Sequence, residues 1–320
     1  VDRLAVRFQD EGPDAGGNRT VLEREGVLSR LLSLLGTGPV ITDGAWGTEF
    51  QKRGLATGEP ADVWNLTRPA DVEAVARSYV EAGSMVILTN TFRGNPVALS
   101  AHGQGDQAVA INRRGAELSK QQAGGGVRVF ASLGPTGKVM ATGEIDEQRV
   151  TDGFRIQAEA LAEGGADVLL FETFSDVEEA RLAVRAARPT GLPIIVSFAF
   201  DSGKNKARTM MGVTPETAAR AMVEEGVDAI GANCGAGPES FAQICRRLKH
   251  ASGLPVWIKP NAGMPSLEAG QAVYTMAADA FAGYLAALVE SGASFIGGCC
   301  GTSPEFVRAL VRAAGSCAFS

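Results

Sequence analysis

No apolar run in this chain reaches the roughly 18 residues needed to cross a bilayer as a helix. No block of lysines or arginines interrupts its net charge of −6. The first absence argues against a membrane-spanning segment, and the second against nucleic acid as a partner. Five cysteines in 320 residues are too few for a disulfide scaffold, and two of them are adjacent. Metal-binding or free thiols in a reducing cytoplasm fit that usage better. The first residues (VDRLAVRFQDEGPDAGGNRT) are charged and glycine-rich and lack the apolar core of a secretory signal. Residues 1–23 read as a disordered leader and 24–320 as one domain.

What is present is a repeated pattern. Eight short apolar, β-branched runs occupy 40–43, 85–90, 127–134, 168–173, 193–200, 229–234, 255–261 and 295–300. They are nearly continuous in hydrophobicity, as strands buried on both faces should be. Helical periodicity occupies 71–82, 151–163, 177–187, 215–225, 239–250, 278–290 and 304–314. Gly83, Gly165, Gly226 and Gly292 stand between a helix and the next strand, where glycine supplies a left-handed C-terminal cap. Strands alternating with helices imply a parallel sheet, and eight of them favour closure into a single (β/α)8 TIM barrel. An open doubly wound sheet is the alternative reading of the same pattern.

In such a barrel the chemistry sits where strands end. The expected ends carry Asp43, Asn90, Glu172, Asn233, Cys234, Asn261, Cys299 and Cys300, and a core-only role does not account for so many polar and thiol groups at one rim. Cys234 ends the sixth run, and Cys299 and Cys300 end the eighth. Three thiolates with a vacant fourth position make an open tetrahedral zinc site, and soft sulfur suits zinc better than magnesium or calcium. Adjacent residues of a regular strand face opposite ways, so both Cys299 and Cys300 reach one ion only if the backbone leaves the strand. Gly297, Gly298 and Gly301 permit that departure. The plainer reading, small buried hydrophobes, suits Cys245 and Cys317.

At these residues the chain resembles the homocysteine S-methyltransferase family, which includes the homocysteine-binding module of cobalamin-dependent methionine synthase and the betaine–homocysteine methyltransferases. The matching segments are DGAWGTEFQKRG (43–54), AGSMVILTNTF (82–92), ASLGPTG (131–137), FETFSDVEEA (171–180), GANCGAGPE (231–239), KPNAGMP (259–265) and GGCCGTSPE (297–305). The resemblance implies transfer of a methyl group to the thiol of homocysteine, giving methionine. It makes Cys234, Cys299 and Cys300 the Zn2+ ligands. Asp43 and Glu172 match the acids that hold the substrate amino group. The loop from Gly44 and Ala45 to Thr48 matches the one that meets its carboxylate through backbone amides, and Asn233 orients the site. Coordination deprotonates a thiol that is otherwise largely protonated at neutral pH, so the transfer requires no general base. Having only His102 and His250 is then no obstacle.

Neither histidine sits in the Asp-x-His-x-x-Gly motif usual in a cobalamin-binding module, so a corrinoid donor would come on a separate cobalamin-binding protein or free in solution. The NLTRP, GPTG and PNAGMP segments resemble the methionine synthase branch. Trp46 and Trp64 are candidates for an aromatic cage around a cationic donor, but Arg93 follows NTF where the betaine branch has an aromatic residue. A methylcorrinoid protein is therefore the favoured donor, with S-methylmethionine or betaine next. Two other readings remain open: a different small thiol or corrinoid carrier as substrate, and a non-catalytic zinc barrel subunit of a methyl-transfer complex.

Overall fold

A computed structural model describes residues 38–268 and 271–316. The expected leader and Cys317 lie outside the described residues. Seven strands come first: β1 (Val40–Ile41), β2 (Val86–Leu88), β3 (Arg128–Leu133), β4 (Val168–Phe174), β5 (Ile194–Phe198), β6 (Ala229–Asn233) and β7 (Val256–Lys259). A small antiparallel hairpin, β8 (Ser266–Glu268) and β9 (Gln271–Val273), precedes the last strand, β10 (Ala293–Ile296). Eight strands, all but the hairpin, form one parallel sheet in the order β1-β10-β7-β6-β5-β4-β3-β2. A parallel bridge between Thr42 and Val86 joins its two ends. The sheet is therefore the expected barrel and not an open sheet.

The first seven strands fall on their expected runs, β4 extending one residue further to Phe174, and the last lies earlier than its run, at Ala293–Ile296 instead of 295–300. Most helices fall close to where the periodicity put them, such as Pro69–Glu81 and Val177–Ala187. One that the sequence reading omitted, Ala108–Ala123, packs beside Pro69–Glu81 and Glu147–Glu163. The expected 278–290 helix is broken at Gly283 and Tyr284 into Ala278–Ala282 and Leu285–Glu290. Gly83, Gly165, Gly226 and Gly292 all have positive φ, which L side chains resist. No helix among the described residues is long and apolar enough to cross a membrane.

The inside of the barrel is filled. Phe130 on β3 stacks on Trp257 of β7 at 5.7 Å, and Phe295 of β10 leans on both. β3 lies across the ring from the neighbouring strands β7 and β10, so the rings meet across its interior. A cavity lies at the end of the barrel where the strands stop.

Candidate metal and thiol site

The polar ends of the strands surround a cavity of about 370 Å³ at this rim. Its floor carries Cys234, Cys299, Cys300, Glu172, Lys259 and Ser132, and its mouth carries Trp46, Asp62, Phe92 and Arg93.

The thiols converge because two chain segments leave their strands. Cys234 follows β6 with φ +62, a left-handed turn fixed by its N–H donating to Lys259 O and by Ala236 N–H returning to its own carbonyl. Cys299 and Cys300 lie beyond β10. Cys299 N–H donates to Pro260 O, and the Cys300 carbonyl accepts from Ala262 N–H. Gly297 is required in that loop, since a Cβ there would lie 2.0 Å from Thr42 Oγ1. The three sulfurs all lie within 4.8 Å of one another, and Cys234 Sγ is 4.0 Å from Cys300 Sγ. Thiolates on one tetrahedral ion at a metal–sulfur distance of about 2.3 Å lie about 3.8 Å apart, so the cluster fits a single metal ion. Among the described residues these three are the candidate ligand set, so a tetrahedral ion held by them would have a fourth position free for another ligand.

The charge chemistry of the cluster agrees. Hydrogen bonds from Cys299 and Cys300 hold the Cys234 thiol down at about 3. Those bonds push Cys299 upward, with burial and like charge adding to the rise. Cys300 rises to about 12 for the same kind of reason, led by its bond to Cys234. One thiolate is easy to form, and further ones need a cation. Cys245 stands apart: burial raises its thiol to about 12 and its sulfur contacts Ser291 O at 3.3 Å, in keeping with a thiol that has no part in the site.

Glu172 is aimed into the cavity by a register shift between Phe171 and Phe174 of β4, where Thr173 has φ +65. It is 7% exposed, and its Oε1 accepts from the Ser132 hydroxyl. Burial raises its pKa, while the Lys259 ammonium and the Ser132 hydrogen bond oppose the rise. Asn233 does not line the cavity. Its Oδ1 accepts from Thr173 N–H at 2.9 Å and Ser197 Oγ at 2.6 Å, and its Nδ2 donates to Thr173 Oγ1 at 2.7 Å.

Asp43 lies below the floor and is 0% exposed. Its Oδ2 accepts from Trp46 Nε1 at 2.6 Å and Leu88 N–H at 2.7 Å, and its Oδ1 from Lys259 Nζ at 2.5 Å. Gly44 and Ala45 line the cavity beside it. The Ala45 N–H is spent on Thr302 Oγ1, and its carbonyl accepts from Tyr79, so this loop is pinned from both sides. Trp46 reaches the cavity; Trp64 does not, being buried under the Arg68 guanidinium at 3.8 Å and bonded to Glu59. Lys259 and Ser132 are the residues that the strand-end reading missed. Lys259 stands immediately before Pro260 in a segment already singled out, so its charge at a strand end was the available signal.

Fold and site together define a parallel barrel with a three-cysteine cluster, spaced to hold a metal ion, beside a buried carboxylate at one rim. A family model described as homocysteine S-methyltransferase matches residues 40–314, and the chain belongs to that family. It is 33% identical over 307 residues to a methionine synthase of Mycobacterium leprae and 32% over 300 residues to one of Mycobacterium tuberculosis. These matches cover 90% and 88% of this chain and 25% of each relative, so the chain spans about a quarter of their length. The homocysteine methyltransferase MmuM of Escherichia coli superposes with a TM-score of 0.72 in its metallated form, at 23% identity, covering 89% of this chain and 99% of that one. The likeness to MmuM shows the fold.

Proposed function

We propose that this protein transfers a methyl group to the thiol of homocysteine, giving methionine, with zinc as its resident metal. One observation carries the reading: Cys234, Cys299 and Cys300 converge on the floor of a cavity that also holds the Glu172 carboxylate. Zinc bound by three thiolates supplies a fourth tetrahedral position that keeps a substrate sulfur deprotonated. The protein's own residues select and place the amino acid. Glu172 receives the ammonium group, whose arrival favours the ionised carboxylate against the effect of burial. The loop from Gly44 and Ala45 to Thr48, held by Tyr79 and Thr302, forms the wall on the carboxylate side. Asp43 and Asn233 keep the floor rigid from below. A cluster of free thiols with this task belongs in a reducing compartment such as the cytoplasm.

For the donor we favour a methylcorrinoid on a separate cobalamin-binding protein, with S-methylmethionine or betaine as alternatives. The exposed Arg93 at the mouth opposes a cationic donor, and Trp64 is unavailable for a cage. Phe92, Met210, Met211 and Met264 are exposed on loops that follow β2, β5 and β7, and Leu267 on the hairpin strand β8 beyond β7. They therefore share the face that bears the cavity, and apolar exposure of that kind suits a protein partner.

The test is a donor screen. Zinc-loaded protein with homocysteine should form methionine when given the methylcorrinoid protein, and no methionine from any donor overturns the activity. Zinc-edge X-ray absorption gives a second reading. Its sulfur count should rise from three to four when homocysteine is added, and a count that does not change favours a non-catalytic barrel.

A further inference from the structure

Tyr274 stands at the base of the hairpin β8–β9, ahead of the helix Ala278–Ala282, and the reading above gives it no task. It is half-buried and lies outside the cavity wall that carries Cys234, Cys299 and Cys300. Its ring presses on the turn that follows the paired cysteines. A Cβ at Gly301 would lie 2.2 Å from Tyr274 Cγ and 2.6 Å from Tyr274 Cβ, and Gly301 has φ +81. Glycine there serves two needs at once: a left-handed turn after Cys300, and bare backbone for the ring to lie on.

Two residues further on, Met276 lies against Gly263, 3.6 Å from where a Cβ would be. The neighbouring Ala262 N–H donates to the Cys300 carbonyl at 2.9 Å. The chain from 274 to 276 is therefore wedged between the segment after β7 and the segment after β10. From that seat the Tyr274 hydroxyl donates to the Cys300 sulfur. Burial and the neighbouring thiol charges push the phenol up, so it keeps the proton it donates. Cys234 has donors of its own, the Gly235 N–H and the Asn261 side chain. A hydrogen bond to a thiolate takes up part of its charge. Three thiolates already outweigh the charge of a divalent ion, and a substrate thiolate adds to the excess. Charge drawn toward a donor is charge not passed to the metal, whose pull on a fourth sulfur is kept.

We propose that Tyr274 is a positioning residue of the metal centre: its ring seats the turn after Cys300, and its hydroxyl holds the Cys300 sulfur and takes up part of its charge. It touches neither substrate nor metal and acts through Cys300. The inference rests on the reading of the three cysteines as zinc ligands and adds a hydroxyl, 26 residues before Cys300, to what sets the properties of that centre.

The experiment uses metal binding and spectra, so no methyl donor is needed. Tyr274→Phe keeps the ring on Gly301 and removes the hydroxyl. Its zinc affinity, measured by competition with a chromophoric chelator, should fall roughly tenfold or more, the usual cost of losing a partner of a metal ligand. In the cobalt(II)-loaded protein the sulfur-to-cobalt charge-transfer bands should move to longer wavelength, because loss of the hydrogen bond raises the energy of the sulfur lone pairs. The ligand-field bands should remain those of a tetrahedral ion. Placing 3-fluorotyrosine, a stronger donor of the same shape, at position 274 should move the charge-transfer bands the opposite way, and it gives the answer even if Tyr274→Phe folds poorly. Tyr274→Leu removes ring and hydroxyl together and should add a lower melting temperature to the spectral shift. Parental zinc affinity and parental bands in Tyr274→Phe, or bands indifferent to fluorination, overturn the role of the hydroxyl. A parent protein that binds neither zinc nor cobalt through sulfur overturns the metal reading itself.

Discussion

Asn233 clamps Thr173 on the neighbouring region of the barrel rim, accepting its N–H at 2.9 Å and donating to its hydroxyl at 2.7 Å. Thr173 has φ +65, a conformation that a β-branched residue adopts only when its surroundings impose it. The residue before it is Glu172, so the clamp fixes the backbone that presents the carboxylate. Asn233→Ala removes three hydrogen bonds at once, counting the buried one from Ser197. It should cost about 2–4 kcal/mol and lower the melting temperature by roughly 4–16 °C, at about 2–4 °C per kcal/mol. The Michaelis constant for homocysteine should rise as well. Calorimetry and steady-state kinetics check both, and a protein unchanged in both properties contradicts the clamp.

The metal cluster separates retention of the ion from stability of the barrel. Cys234, Cys299 and Cys300 are partly exposed at the cavity floor and lie past the strand ends, away from the aromatic plug of the bore. Cys299→Ala or Cys300→Ala should abolish retention of zinc while circular dichroism still reports a folded barrel. Metal content equal to that of the parent protein would exclude these residues as ligands.

Glu172→Gln keeps the shape of the side chain and removes the charge. The Michaelis constant for homocysteine should rise at least tenfold, equivalent to about 1.5–3 kcal/mol for a charged hydrogen bond, and zinc content should stay at the parent level. A variant that loses its metal but keeps its affinity for homocysteine would assign Glu172 to the metal centre instead.

Asp62 gives the protein a definite dependence on pH. Burial raises its carboxyl to about 6 from 3.8, against bonds from its own N–H and that of Arg93. A raised carboxyl binds its proton more tightly when folded than when unfolded, so stability falls as pH climbs from about 4 through 6. Asp62→Asn removes that penalty. It should raise the melting temperature at pH 7.5 by several degrees, for a gain on the order of 3 kcal/mol, and the advantage should vanish below about pH 4. An advantage that is constant across this range would show that the charge is not the cause.

Much of the architecture was legible because strand and helix signals are local. β-branched runs announced the eight strands, and the glycines with positive φ marked the helix ends. The helix Ala108–Ala123, which the sequence reading omitted, has Asn112, Gly115 and Ser119 among its buried residues. Gly115 sits against Asn65 and Thr91, where a Cβ would clash, so part of that helix's buried face is small and polar, beside Ile111, Ala116 and Leu118. The rim was legible residue by residue, but its pairings were not. Asp43 and Glu172 read alike in the sequence, yet Asp43 is fully buried on Trp46, Leu88 and Lys259 while Glu172 lines the cavity.

The sequence by itself determined the strand count, the end of the barrel that carries chemistry, and the three sulfurs available to a metal, since each follows from residue type and spacing along the chain. Only the tertiary structure decided that Lys259 and Asp43, 216 residues apart, share an ion pair, that Trp64 is turned away from the cavity, and that Asn233 serves Thr173. Closure of the barrel sets those partners, because hydrogen bonds and charges act over a few ångströms of space and take no account of distance along the chain.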